Sequence, residues 1–99
     1  MLLAITPHPM EGYTKTAALD YAKDGIRVNA VAPAMVNTDM MSNVLEERDA
    51  SNKLLLKRHP MRRFADMDEV AKAVVFLASD ASSYITGVSL PVDGGVLIG

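Results

Sequence analysis

The stretch that most constrains this chain is Ile26 to Ala32, Ile-Arg-Val-Asn-Ala-Val-Ala. Its apolar positions are nearly continuous, the pattern of a strand covered on both faces, and such strands belong to parallel sheets in α/β proteins. Pro33 is predicted to stop the strand, because proline has no N–H for a ladder. Ala34 to Asp39 then forms the loop that leaves it. Open α/β sheets bind ligands outside the carboxyl ends of their strands. A functional site is therefore expected within Asp24 to Met40.

The other elements follow from periodicity and punctuation. Glu11 to Lys23 is predicted as a helix, with Tyr13, Ala17, Ala18, Leu19 and Ala22 on its apolar stripe. Gly25 follows at the position where helices commonly end in a left-handed residue. Met40 to Glu47 and Ser51 to Arg58 read as two amphipathic helical pieces. Asp66 is a good N-cap, and Glu69 three residues later completes a capping-box pattern. A helix from Met67 to Ser79 is predicted to follow, with Val70, Ala73, Val74, Leu77 and Ala78 facing inward. Val88 to Val92 reads as a second strand, and Pro91 within it argues for an edge position. Asp93-Gly94-Gly95 is a turn. Met1 to Pro9 is short and interrupted by Pro7 and Pro9, which oppose a regular helix.

These elements add up to an α/β chain of two strands and about four helices. Two strands leave Ile26 to Ala32 without enough cover, and small domains already bury only about 60% of their surface. The 99 residues are read as a single partial domain, incomplete by itself. Cysteine is absent, which removes disulfides, thiolate nucleophiles and cysteine metal sites. The net charge of -2 gives no general attraction to nucleic acid or to an anionic membrane. No apolar run approaches the roughly 18 residues of a membrane span, and Met1 to Pro9 is no secretory signal. A cytoplasmic location is the expectation.

From Ile26-Arg27-Val28-Asn29-Ala30-Val31-Ala32-Pro33 onward the chain resembles the C-terminal part of the short-chain dehydrogenases/reductases. Four pieces carry the likeness in order: Thr14 to Ala22, Arg27 to Thr38, Phe64 to Leu77, and Ser79 through Gly87 with Val92-Asp93-Gly94-Gly95. The likeness runs over residues 11–95, after a divergent start at residues 1–10. It implies the C-terminal portion of a doubly wound, Rossmann-type parallel sheet. It also implies NAD or NADP as cofactor, and hydride transfer between small-molecule alcohols and ketones. Pro33, Ala34, Val36 and Thr38 match the family's nicotinamide loop. There the backbone at Val36 answers the carboxamide, which offers one acceptor and two donors, and Thr38 adds a hydroxyl. The family's usual glycine after the proline is Ala34 here, where a methyl group disfavours φ > 0. Met40, Met41 and Val44 read either as loosely packed core or as a mobile lid over an apolar substrate. Methionine suits an irregular apolar surface. A homo-oligomer is implied, with the helix Glu11 to Lys23, the last helix and the closing strand as its interfaces, which the small-residue stripe Ala17, Ala18 and Ala22 and the edge strand Val88 to Val92 fit.

The family's proton-transfer pair is a tyrosine and, one helical turn on, a lysine whose charge lowers the phenol pKa. Counted back from Glu11-Gly12, those positions fall on Leu3 and Pro7, so no catalytic residue is assigned. Tyr13 with Lys15 and Tyr21 with Lys23 have the wrong spacing to share a helix face. No glycine-rich phosphate loop is present, since Gly94-Gly95 opens no helix. The sequence thus supports two expectations. One is a fragment of an NAD(P)-dependent oxidoreductase, supplying nicotinamide loop and substrate lid. The other is a truncated non-catalytic remnant or interaction module. Lys53, Lys57, Arg58, His59, Arg62 and Arg63 form a basic cluster, read as a solvated rim or a contact to an anionic substrate group. His8 and His59, without cysteine or a helical partner, make no metal site. Tyr84 and Ile85 are read as packing residues at an interface or core.

Overall fold

The computed structural model describes residues 2–5, 11–34, 36–37, 54 and 56–98. Its centre is a three-stranded parallel sheet in the order β1–β2–β5. Strand β1 is Leu2–Ile5, β2 is Val28–Pro33 and β5 is Ser89–Val92. A separate two-residue parallel ladder joins β3, Val36–Asn37, to β4, Ala65–Asp66. Helix α1, Glu11–Tyr21, connects β1 to β2, and helix α2, Met67–Ala78, precedes β5. Both helices pack against β2. Parallel neighbours need such crossovers, and the α/β class read from the sequence is the class observed.

Val28, Asn29, Ala30 and Val31 are all buried, as the nearly continuous apolar run requires. The strand does not stop at Ala32, however. It runs through Pro33, and the ladder explains why. The N–H of Ala30 donates to Val88 O and that of Ala34 to Val92 O. Even-numbered residues of β2 therefore face β5, and odd-numbered ones face β1. The pairing with β1 ends at Val31, so the missing N–H of Pro33 costs no ladder bond. The same alternation explains Pro91. Val88 and Val92 present their carbonyls to β2, which leaves Ser89 and Pro91 on the outer row of an edge strand, where proline is tolerated.

Two strands were expected, and the sheet has three. Leu2–Ile5 pairs with Val28–Val31 in parallel register; prolines at 7 and 9 oppose a helix here but not a strand of four residues. Helix α1 is shorter than predicted. It ends at Tyr21, a 3₁₀ turn takes Ala22–Asp24, and Gly25 closes it at φ 74°. Its buried stripe is also narrower. Thr14 and Ala18 face inward, one turn apart, whereas Tyr13, Leu19 and Ala22 are exposed. Ala18 lies under Gly87, where an added Cβ would sit 3.5 Å from its methyl group. So Ala18 packs inside the chain and is not available to an interface stripe.

Helix α2 keeps close to its prediction. Leu77 is buried, Val70, Ala73 and Val74 are half-buried, and only Ala78 departs by facing solvent. Ser79 caps the helix end, and a 3₁₀ turn over Asp80–Ser82 leads toward β5. Tyr84 is fully exposed and packs no core, while Ile85 is half-buried. Of the two helical pieces predicted between Met40 and Arg58, the first lies outside the described residues. The second is helical at Leu54, Leu56 and Lys57. No helix among the described residues is long and apolar enough to cross a membrane.

Candidate functional site

The carboxyl ends of β2 and β5 open onto a cavity of about 360 Å³. Ala34 forms its wall on the β2 side, and Pro91 to Gly95 the wall on the β5 side. The third wall comes from His59, Met61, Arg63 and Ala65, with Glu69 behind. Ala34 is tied to the neighbouring strand by its N–H, which donates to Val92 O at 3.3 Å. Among the described non-glycine residues only Arg62 has positive φ, at 59°. The loop at Ala34 therefore does not use the left-handed conformation that a glycine would allow, and its methyl group is accommodated.

Val36 continues directly into the β3–β4 ladder opposite Ala65. That ladder fixes the backbone path just beyond Ala34 and brings the start of α2 beside it. Among the described residues, β3 pairs with β4 alone. Thr38, Met40, Met41 and Val44 lie outside the described residues.

The third wall is held by chemistry that the sequence reading did not assign. Arg63 grips Glu69 with two parallel bonds, Nη1 to Oε1 at 2.6 Å and Nη2 to Oε2 at 2.9 Å. Oε1 of Glu69 also accepts the N–H of Asp66 at 2.9 Å, the reciprocal half of a capping box. The guanidinium, and then the Asp66 N–H, hold the Glu69 carboxyl down to about 2; Glu69 in turn raises Arg63 above its ordinary value. The capping box was legible from spacing. The arginine was not, because it reaches back across the ladder from outside the helix.

His59 is 6% exposed. Its ring meets Phe64 edge-on, with centroids 5.1 Å apart and planes at 69°, a favourable aromatic geometry. The turn that carries it is closed by Arg62 N donating to His59 O at 2.7 Å. This turn sits on the Asp93-Gly94-Gly95 turn. A Cβ on Gly95 would fall 3.2 Å from Pro60 Cγ, and one on Gly94 3.4 Å from Met61. The Asp93 carboxylate is used internally, accepting Gly95 N and Leu97 N at 3.0 and 3.2 Å. The basic cluster divides at this turn. His59 and Arg63 line the cavity, whereas Lys57, Arg58 and Arg62 are exposed outside its lining. Among the described residues no three His, Cys, Asp or Glu side chains converge as a metal set.

Leu3 and Pro7, the positions counted back to a proton-transfer pair, do not stand on a helix together. Leu3 is a strand residue opposite Asn29, and Pro7 lies outside the described residues. A family model described as enoyl-(acyl carrier protein) reductase matches residues 3–97. The chain belongs to the short-chain dehydrogenase/reductase family. An oxidoreductase of that family from Burkholderia thailandensis superposes with a TM-score of 0.83 at 41% identity, over 91% of this chain and 35% of the other. A putative 2-deoxy-D-gluconate 3-dehydrogenase from Agrobacterium tumefaciens, solved with bound NADP, superposes with a TM-score of 0.82 at 40% identity, over 93% and 37%. The 4-formylbenzenesulfonate dehydrogenase of Comamonas testosteroni is 47% identical over 88 residues, 87% of this chain and 35% of that protein. The chain thus spans about a third of the length of the relatives it matches.

Proposed function

We propose that this chain forms the nicotinamide wall and substrate lid of an NAD(P)-dependent oxidoreductase interconverting small-molecule alcohols and carbonyl compounds. The observation that carries the reading is the cavity at the carboxyl ends of β2 and β5, with Ala34 in its wall. That is where doubly wound sheets bind ligands, and its size suits a small ligand. The sequence match to a relative solved with bound NADP supports the choice of cofactor.

The residues present fit the nicotinamide end in their donor chemistry. When bound, the cofactor supplies or accepts the hydride. Ala34 has its N–H committed to Val92 O, so its part is to hold the loop against β5. Val36 follows on β3, which among the described residues pairs with β4 alone, and its backbone is assigned to the carboxamide, with the Thr38 hydroxyl beside it. Met40, Met41 and Val44 are assigned to the lid over the substrate. No proton step is assigned to this chain. Leucine at position 3 and proline at position 7 carry no group that does it, so the tyrosine and lysine of such a site have to be supplied from beyond these residues.

A second reading, an interaction module without turnover of its own, is favoured by one observation. Leu3 is held in strand β1 opposite Asn29 and not on a helix. Titrating the purified chain with NADH and NADPH separates the two. The expectation is no saturable change in cofactor fluorescence or melting temperature at micromolar cofactor; clear binding would sink the inert reading. The nicotinamide assignment needs a different setting. With residues 11–95 grafted into a full-length relative, Thr38→Ala is expected to raise the cofactor KM, and an unchanged KM removes Thr38 from the site. The reading carries a homo-oligomer with it, for which Tyr13 and Leu19, left exposed on α1, provide apolar contact area; sedimentation at micromolar concentration measures it.

A further inference from the structure

No further inference is drawn: the strongest candidate, the exposed apolar stripe of Met67, Ala71 and Val75 along α2, is an unpartnered helix face, and nothing in the structure shows what covers it.

Discussion

The two ends of β2 are held in different ways. At its amino end, polar side chains reach far along the sequence. Asn29, 1% exposed, donates from Nδ2 to Ile85 O at 3.0 Å and accepts Val88 N at Oδ1, also at 3.0 Å. Arg27 donates to Ser82 Oγ, Ile85 O and Ser79 O at 3.0, 3.2 and 3.2 Å. Thr86 Oγ1 accepts Val28 N at 3.1 Å. Together these bonds fix the segment between α2 and β5 and set the β2–β5 register. At the carboxyl end the contacts are of another kind. They are one backbone bond from Ala34, a glycine turn seated under Pro60, and the half-exposed pair Arg63–Glu69. One end carries the register, and the other end is left to shape a cavity. Arg-x-Asn, which in the sequence served mainly as a family mark, is physically a clamp.

The contrast predicts that damage at the amino end unfolds the chain, while damage at the carboxyl end reshapes the site. The largest effect is expected from Asn29→Ala. It leaves the part-buried Val88 N–H without its partner and Ile85 O with only its bond from Arg27, and an orphaned buried group costs about 1–3 kcal/mol. A loss of about 3 kcal/mol in urea unfolding is the expected outcome. Asn29→Asp keeps the acceptor for Val88 N but buries a charge against a carbonyl, so it should not rescue. A loss within about 0.5 kcal/mol, the range of ordinary surface substitutions, would break the comparison. Arg27→Ala should be non-additive with Asn29→Ala, because both side chains donate to Ile85 O and shared partners couple.

At the other end the sharpest test is Gly95→Ala. Its φ of 93° is a region other residues rarely adopt, and the new Cβ would stand 3.2 Å from Pro60. A cost of about 2 kcal/mol is expected, with a shift of the 59–62 turn that forms the cavity wall. Gly94→Ala, at φ 58° and 3.4 Å from Met61, should cost less, about 1 kcal/mol. Equal losses at the two positions would mean that backbone conformation alone, and not contact with Pro60, governs the turn.

What was legible in the sequence follows the same division. The apolar run at Ile26 to Ala32 announced a parallel strand covered on both faces, and the spacing of Asp66 and Glu69 announced the start of α2. Both are local signals with a local cause. The strand Leu2–Ile5 was missed because four apolar residues followed by two prolines carry no periodicity; only pairing with β2 makes them a strand. Tyr13 and Leu19 were expected inside because they are apolar. The contact with β2 keeps Ala18, as expected, and adds the polar Thr14 one turn before it in place of Tyr13 and Leu19. Of the loop residues expected after the strand, Ala34 lines the cavity, whereas Pro33 lies within β2. His59 and Arg63 were read only as members of a basic cluster and Asp93–Gly95 only as a turn, since packing brings them to Ala34 across roughly 25 to 60 residues of sequence. Thr38, Met40, Met41 and Val44 rest on resemblance alone.

The smallest effect, and the most specific, belongs to Glu69. Its carboxyl is held down to about 2 by the Arg63 guanidinium and then the Asp66 N–H, against an unfolded value of about 4.3. A folded-state value below the unfolded one contributes stability above about pH 4.3, and that contribution fades as the pH falls toward 2. Glu69→Gln has no charge to titrate, but its side-chain oxygen still accepts from Asp66 N–H. The wild-type chain should therefore be slightly the more stable at neutral pH, with the difference shrinking between about pH 4.5 and 2. Because the pair is partly exposed, added salt should shrink it as well. Arg63→Lys should give a similar loss, since an ammonium cannot reproduce the two-bond grip of a guanidinium. If the gap between wild type and Glu69→Gln is independent of both pH and salt, Glu69 acts at the carboxyl end only as a neutral cap for α2, and the wall beside the cavity does not depend on its charge.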